Sequence, residues 1–247
     1  MENAPLISII GYNLPPQIEE KYNNWTTEVY IPNLVKLTPI IEINRYHIIK
    51  KNPSYPDYLA FWHQPNLEAV FAVRETQFFT DFTKDIIATF SKVEWVWRSL
   101  YSLMRSFRNL QGSMKQEDVT TIEDAPFILL EAYRFTLEEE EKYVEWFARY
   151  ANRIYIPLLM KIPGVKGFDR YRYAGKSMTS ITDRLATRES NYPSYLQIVY
   201  FENEKAYENY EKSPELASVK KAMKSDITDN IVPQWYVQYQ LLKSWRK

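Results

Sequence analysis

An internal repeat constrains the fold of this chain more than any other sequence feature. The segment YNLPPQIEEKYNNW aligns without a gap with YRFTLEEEEKYVEW, which places Tyr12 on Tyr133 and Trp25 on Trp146. After an insertion of four residues, YIPNL corresponds to YIPLL. Four residues make about one helical turn, so the insertion predicts a longer helix that keeps the same buried face.

The repeat extends over nearly the whole chain and defines its organisation. NRYHI matches DRYRY, and YPDYLAFW matches YPSYLQIV. A polar segment without apolar periodicity separates the copies and is typical of a linker. The sequence therefore predicts a first half at 5–107, a linker at 108–124 and a second half at 125–247.

The second half shows the order of elements within each copy. PFILLEAYRF is a β-rich apolar run, after which Thr136 and Glu139 form a potential capping box. Apolar residues then recur at steps of three and four as far as Pro157, which predicts an amphipathic helix that this proline ends or kinks. Two strands follow, then helical sequence with Ser213 and Pro214 placed as N-cap and first residue, then a last strand. The order βαββαβ is that of a ferredoxin-like unit.

Composition narrows the classes of function. The chain has 247 residues, 45% of them hydrophobic, which is ample for a packed core, and its 31 basic residues balance 31 acidic ones. A neutral chain without a basic run does not favour nucleic acid. No signal segment and no run of 18 apolar residues is present, so we expect no membrane partner and a cytoplasmic location.

The residue types also limit cofactor chemistry. The chain contains no cysteine, and His47 and His63 are its only histidines. Thiolate sites are thereby excluded, and no HExxH array or glycine-rich nucleotide motif is present. We expect neither a dedicated metal site nor an organic cofactor.

The order of motifs resembles the EthD-like branch of the dimeric α+β barrel superfamily. The resemblance rests on an amphipathic helix running into xIPxL, then PG, a strand ending in RY, and YPSYLxIVYFENEKAYENYEKSPE. It implies an α+β fold in which two ferredoxin-like units pack their sheets face to face. A tandem duplication would build this intramolecular dimeric α+β barrel within one chain, as a pseudo-dimeric monomer or as part of a homodimer.

Alternation along the strands predicts which side chains share a face. The face expected to look into the barrel is rich in aromatic residues: Tyr12, Tyr58 and Trp62, with Tyr133 and Tyr195 in the second half. The opposite face, expected beneath the helices, is aliphatic and includes Ile7, Ile9, Leu59 and Phe61. His63 falls on that helix side, where a capped or half-exposed histidine is expected.

The second strand leaves two alternatives open. Either Arg45 and His47 look inward or Asn44 and Tyr46 do. An arginine beneath a helix layer is costly unless it is paired. This favours Arg45, His47 and the counterpart Arg170 inside the barrel or at its rim.

An aromatic lining with tyrosine hydroxyls suits a small apolar or aromatic molecule held by a few hydrogen bonds. The resemblance implies proton-transfer chemistry without metal or cofactor, as in cyclases, lyases and monooxygenases. Many EthD-like sequences have histidine two residues before the IP proline, whereas here Tyr30 and Tyr155 occupy that position. The candidate catalytic residues are His47 as general base, Glu131, Tyr30 and Tyr155; the candidate substrate-binding residues are Arg45, Arg170, Tyr12, Tyr133, Tyr58, Trp62 and Tyr195.

Several alternatives accompany this hypothesis. Glu131 is either a proton shuttle or the structural partner of an arginine. The chain is alternatively a non-catalytic binding or regulatory barrel, or a haem-binding barrel with His63 or His47 as axial ligand. An insertion at 174–191, present only in the second half, is a solvated loop or a lid over the cavity.

Overall fold

A computed structural model describes residues 5–110, 113–116, 125–176, 192–227 and 233–247. Ten elements cover the first part of the chain: β1 (Leu6–Asn13), α1 (Pro16–Trp25), a π-helical segment (Thr26–Tyr30), α2 (Ile31–Leu37), β2 (Glu42–Ile48), β3 (Tyr58–Gln64), α3 (Leu67–Glu75), α4 (Gln77–Thr89), β4 (Glu94–Leu110) and β5 (Ser113–Gln116).

The second part repeats this order. Its elements are β6 (Phe127–Tyr133), α5 (Leu137–Trp146), a second π-helical segment (Phe147–Tyr155), α6 (Ile156–Leu159), β7 (Val165–Lys176), β8 (Tyr195–Phe201), α7 (Glu204–Glu211), α8 (Pro214–Asp226) and β9 (Trp235–Arg246).

Two compact units make up the chain. Unit 1 is built mainly from Met1–Leu103 and Leu241–Lys247, and unit 2 from Met104–Arg172 and Pro193–Gln240. In unit 1 the strand order is β4-β1-β3-β2, and in unit 2 it is β9-β6-β8-β7. The pairings of β1 with β3 and β4, and of β6 with β8 and β9, are antiparallel. Both units therefore have the ferredoxin-like βαββαβ topology that the repeat predicted.

The four-residue insertion lengthens a helix, as predicted, and it does so in the π-helical segment. Helices α1 and α5 each have 10 residues, whereas the π-helical segments have 5 and 9. Each segment ends one residue before an Ile-Pro pair, at Tyr30 and Tyr155. Proline cannot donate the backbone hydrogen bond of a regular helix interior, so a change in helical pitch at this point accommodates it.

Local signals read from the sequence occur where they were predicted. Thr136 and Glu139 form a reciprocal capping box at the start of α5. The Ser213 side chain accepts a hydrogen bond from the backbone of Leu216, with Pro214 at the start of α8. In the PG turn, Gly164 has φ of 84°, and a Cβ there would lie 2.3 Å from that of Ala206, so only glycine fits.

The predicted assignment of strand faces to layers was inverted in unit 1. Tyr12 lies edge-on to Tyr22 of α1, and Trp62 lies edge-on to Phe79 of α4, so the aromatic face meets the helices of its own unit. The aliphatic face with Ile7, Ile9, Leu59 and Phe61 is also completely buried. Because both faces of β1 and β3 are buried, alternation identified which residues share a face but not which layer covers it.

The predicted linker and the predicted insertion are each partly β-strand and partly outside the described residues. Strand β4 continues to Leu110, and β5 occupies Ser113–Gln116, both within the predicted linker. The remainder of that linker, 111–112 and 117–124, lies outside the described residues. Of the predicted insertion, 174–176 continue β7, and 177–191 lie outside the described residues.

Among the helices of the described residues, none combines the length and the apolar character that crossing a lipid bilayer requires.

Candidate functional site

A cavity of about 40 Å³ lies in unit 1 between the aromatic face of its sheet and the helices α1 and α4. Its apolar lining includes Ile10, Ala60, Trp62, Phe79, Phe82 and Ile86. Its polar lining includes Tyr12, Tyr22, Thr26, Tyr30, Arg45 and Arg98. A buried water requires about 10–15 Å³ of such space, so the cavity has room for roughly three waters. A ring-sized ligand therefore requires lining side chains to move.

Arg45 is the main charged residue of the cavity, and only 2% of it is exposed. It donates to the Tyr12 hydroxyl from Nη2 (2.9 Å) and Nε (3.2 Å). It also donates to Thr27 Oγ1 at 3.0 Å and to Asn23 Oδ1 at 2.6 Å. These neutral partners of α1 and the π-helical segment compensate the burial that had argued against an arginine beneath the helices.

Tyr30 supplies a free hydroxyl to the same cavity. Its ring is nearly parallel to those of Trp25 and Phe82 and stacks against both, and the residue is 5% exposed. Among the described residues the Tyr30 hydroxyl has no hydrogen-bond partner. Burial raises the pKa of Tyr30 well above its ordinary value, so the hydroxyl keeps its proton and remains a donor.

A hydrogen-bonded chain connects Arg45 to the surface. Asn23 Nδ2 donates to the Tyr58 hydroxyl at 3.1 Å, and that hydroxyl donates to Glu19 Oε1 at 2.5 Å. Burial and the bond to Glu19 raise the pKa of Tyr58 to about 12. The His47 ring is half-buried and meets Tyr58 edge-on at 4.8 Å. His47 therefore lies beside this chain and is not part of the cavity lining.

The corresponding positions of unit 2 carry larger and more polar side chains. Ala60 pairs with Ile10 and Arg45 across the strands, whereas Gln197 pairs with Glu131 and Arg170. Gln197 Nε2 donates to Glu131 Oε2 at 2.8 Å. Thus polar side chains in contact with each other take the place of the small and aliphatic lining of unit 1.

Glu131 is buried in unit 2, with 3% of its surface exposed. It accepts hydrogen bonds from the Tyr133 hydroxyl (3.1 Å) and from Gln197. Burial raises the pKa of Glu131 to about 7, against the lowering influence of Lys220 and of the Tyr133 bond. Its described hydrogen-bond partners are thus neutral, and none is the arginine that one of the two predictions required.

Arg170, the counterpart of Arg45, sits in a different environment. Its guanidinium lies 3.4 Å from the centre of the Phe147 ring and donates to Asn152 Oδ1 at 2.8 Å. Burial lowers the pKa of Arg170 to about 10. Phe147 follows Trp146 directly, as Thr26 follows Trp25 in unit 1. An aromatic ring thus covers the guanidinium of Arg170, whereas the guanidinium of Arg45 borders the cavity.

Two further candidates of unit 2 are held by structural contacts. Tyr155 is half-buried and stacks on Trp146 at 5.2 Å. The Tyr195 hydroxyl donates to Glu140 Oε1 at 2.7 Å, and Arg172 donates to the same oxygen at 2.8 Å. Glu140 corresponds to Glu19, so its bond with Tyr195 is the counterpart of the bond between Glu19 and Tyr58 in unit 1. Arg172, which adds an ion pair with Glu140, stands where unit 1 has His47.

Neither histidine is placed to ligate a group in the cavity. His63 was predicted on the helix side, but it lies on the opposite face, buried, with Nε2 3.1 Å from Asn44 Nδ2. The prediction for His63 was wrong because the assignment of strand faces to layers was inverted. Within the described part of the chain, no cluster of three His, Asp or Glu side chains is placed to hold a metal ion. The lining thus does not fit a haem held by His63 or His47.

Sequence reasoning missed the helix side of the cavity. Asn23, Thr27, Phe79, Phe82 and Arg98 were not singled out, although they hold Arg45 or line the space. The available signal was the spacing of Tyr22, Thr26 and Tyr30, which recur every four residues along one helical face.

Comparison with solved structures shows the fold. A protein provisionally named a monooxygenase from Fusobacterium nucleatum superposes with a TM-score of 0.65 at 11% identity, over 100% of this chain and 96% of that one. An anthrone oxidase-like protein gives 0.62 at 8% identity, over 99% and 94%. A protein provisionally named a chlorite dismutase gives 0.58 at 8% identity, over 98% and 96%.

These likenesses confirm the predicted α+β fold class with two tandem ferredoxin-like units. At 8–11% identity they show the fold alone and do not single out the EthD-like branch. Neither a protein-family model nor a curated protein matches the chain.

Proposed function

We propose that the cavity of unit 1 binds a small aromatic molecule and promotes a cofactor-independent reaction in which negative charge develops on a substrate oxygen. Cyclisation, elimination and mono-oxygenation are reactions of this kind. The observation that supports the proposal is the presence of a buried guanidinium, Arg45, and the free hydroxyl of Tyr30 in one lining that is largely aromatic and aliphatic. Fixed donors in a dry site stabilise a developing oxyanion more strongly than water does.

The lining also limits how the proton is handled. None of the described residues that line the cavity is histidine, aspartate or glutamate. His47 and Glu131 therefore serve poorly as the base in this cavity. The geometry favours a substrate that is acidic enough to lose its own proton, with Arg45 and Tyr30 holding the anion. Membership of the EthD-like branch and a cytoplasmic location stay predictions from the sequence.

The test is oxygen consumption by the protein with two probes, anthrone and 1-naphthol. We expect uptake above that of the heat-denatured protein, and a fall of about a hundredfold or more in Arg45→Met and Tyr30→Phe, the usual effect of removing one oxyanion donor. His47→Ala is expected to keep the wild-type rate. A rate that depends on His47 but not on Arg45 would contradict this assignment.

A non-catalytic binding barrel is the second candidate, and one observation favours it. A described lining without carboxylate or imidazole suffices for binding, because binding needs no general base. Recovery of a bound aromatic molecule unchanged after prolonged incubation in oxygen would support this candidate. Conversion of the molecule would support the enzyme.

A further inference from the structure

We infer that the ligand of the unit 1 cavity is an organic anion whose charged oxygen is received by Arg45. This inference rests on the proposed function, since it assigns the charge of the molecule that the same cavity takes. It follows from the partners of one buried side chain and from the composition of the lining.

Arg45 is a buried cation whose polar contacts are all to neutral groups. Tyr12, Thr27 and Asn23 accept its hydrogen bonds, and within the described part of the chain it forms no ion pair. Buried charges in proteins are ordinarily paired with an opposite charge. The nearest carboxylate in its hydrogen-bonded chain is Glu19, which is two side chains away and bonded to Tyr58.

The guanidinium also retains donor capacity on the cavity side. Arginine has five N–H groups. Four of them are used, by the two bonds to Tyr12 and the single bonds to Thr27 and Asn23. One N–H of Nη1 is left, and the free hydroxyl of Tyr30 lines the same space. The lining therefore includes two donor groups, one on Arg45 and one on Tyr30, whose hydrogens have no described acceptor.

Arg170 in unit 2 provides the contrast. It is equally buried, but the Phe147 ring covers its guanidinium at 3.4 Å, and burial lowers its pKa to about 10. The Phe147 ring thus lies directly against the Arg170 cation, whereas the Arg45 guanidinium is 5.9 Å from the centre of the Tyr58 ring and borders a cavity. The lining of that cavity includes a second guanidinium, Arg98, which lies over the Trp95 ring at 4.9 Å.

The experiment compares benzoate with benzamide, two single-ring molecules of nearly equal shape that differ in charge. Binding is measured by calorimetry at pH 7 and constant ionic strength. We expect benzoate to bind about ten- to hundredfold more tightly, as for hydrogen bonds to charged groups. Arg45→Met should remove this preference while benzamide affinity stays within about twofold. Arg45→Lys should restore part of it, because the lysine keeps the charge but loses the bidentate geometry.

The possible outcomes separate the two proposals. Equal binding of both molecules, unchanged in Arg45→Met, would overturn the anionic ligand and leave the cavity as an aromatic site. Binding of neither molecule by the folded protein would overturn the cavity as a ligand site, and with it the proposed function. If Arg45→Met does not fold, the Lys variant together with Tyr30→Phe carries the test, since both keep a buried side chain of similar size.

Discussion

Arg45 and Tyr12 are joined by two hydrogen bonds to one hydroxyl, from Nη2 at 2.9 Å and from Nε at 3.2 Å. Tyr12→Phe would leave two N–H groups of a buried guanidinium without acceptors, at a cost of about 1–3 kcal/mol. Tyr30→Phe removes a buried hydroxyl that has no described partner, so it should leave stability unchanged or raise it. Urea unfolding of the two variants provides the comparison. Greater destabilisation by Tyr30→Phe than by Tyr12→Phe would show that the network is assigned wrongly.

Ala60 and Gln197 occupy equivalent positions of their strands. Exchanging the two residue types should show whether the ligand binds in the cavity. Ala60→Gln places a long side chain into the lining and should abolish benzoate binding, at a packing cost of about 1–3 kcal/mol. Gln197→Ala in unit 2 is the matched control and should leave binding intact. Quenching of tryptophan fluorescence reports binding directly, because Trp62 and Trp95 line the cavity. Undiminished binding by Ala60→Gln would locate the ligand elsewhere.

Glu131 should make the stability of the protein depend on pH. Its pKa of about 7 lies above its ordinary value of 4.5, because burial disfavours the charged form. Between these values the folded state binds more protons than the unfolded state, so stability falls as pH rises through this window. The full difference is about 3 kcal/mol. Above pH 7 the loss is complete.

Urea unfolding at pH 5 and pH 8 measures this dependence. Glu131→Gln should flatten it, because the amide stays neutral and can keep the contacts with Tyr133 and Gln197. Glu140→Gln, which removes a half-buried carboxylate of the same unit, should leave the dependence in place. A slope that persists unchanged in Glu131→Gln would assign it to other groups.

Much of the fold could be predicted from the sequence because the repeat appears twice with the same local signals. The capping box at Thr136 and the N-cap at Ser213 depend only on residues three positions apart, so the sequence contains them completely. The alternation that groups Tyr12, Tyr58 and Arg45 on one face is equally local. Which layer covers that face depends on distant packing, and here both faces of the strands are buried.

The cavity could be predicted only in part, for the same reason. The aromatic face and Arg45 were identified, but Asn23 and Thr27, whose hydrogen bonds offset the burial of Arg45, were not. The spacing of Tyr22, Thr26 and Tyr30 marks one helical face, but it does not give the strand residues which that face contacts. His47 was favoured as a base because its ordinary pKa lies near neutrality. His47 lies beside Tyr58 and not in the cavity lining. Alternation gives the face of the strand on which a residue lies, but not how far along the strand the cavity extends.

Breaking a buried ion pair of unit 2 should destabilise the protein more than the other substitutions considered. Arg108 donates to both carboxylate oxygens of Asp169, from Nη1 at 2.7 Å and Nη2 at 3.0 Å, and Ser106 donates to the same carboxylate at 2.7 Å. Asp169→Asn would leave the guanidinium charge buried without its partner, at a cost of about 3–5 kcal/mol. Thermal and urea unfolding measure the loss. Asp81→Asn, which breaks the exposed pair with Lys84, is the control and should have no measurable effect. Equal effects of the two substitutions would mean that water reaches the Arg108–Asp169 pair and screens it as it does at the surface.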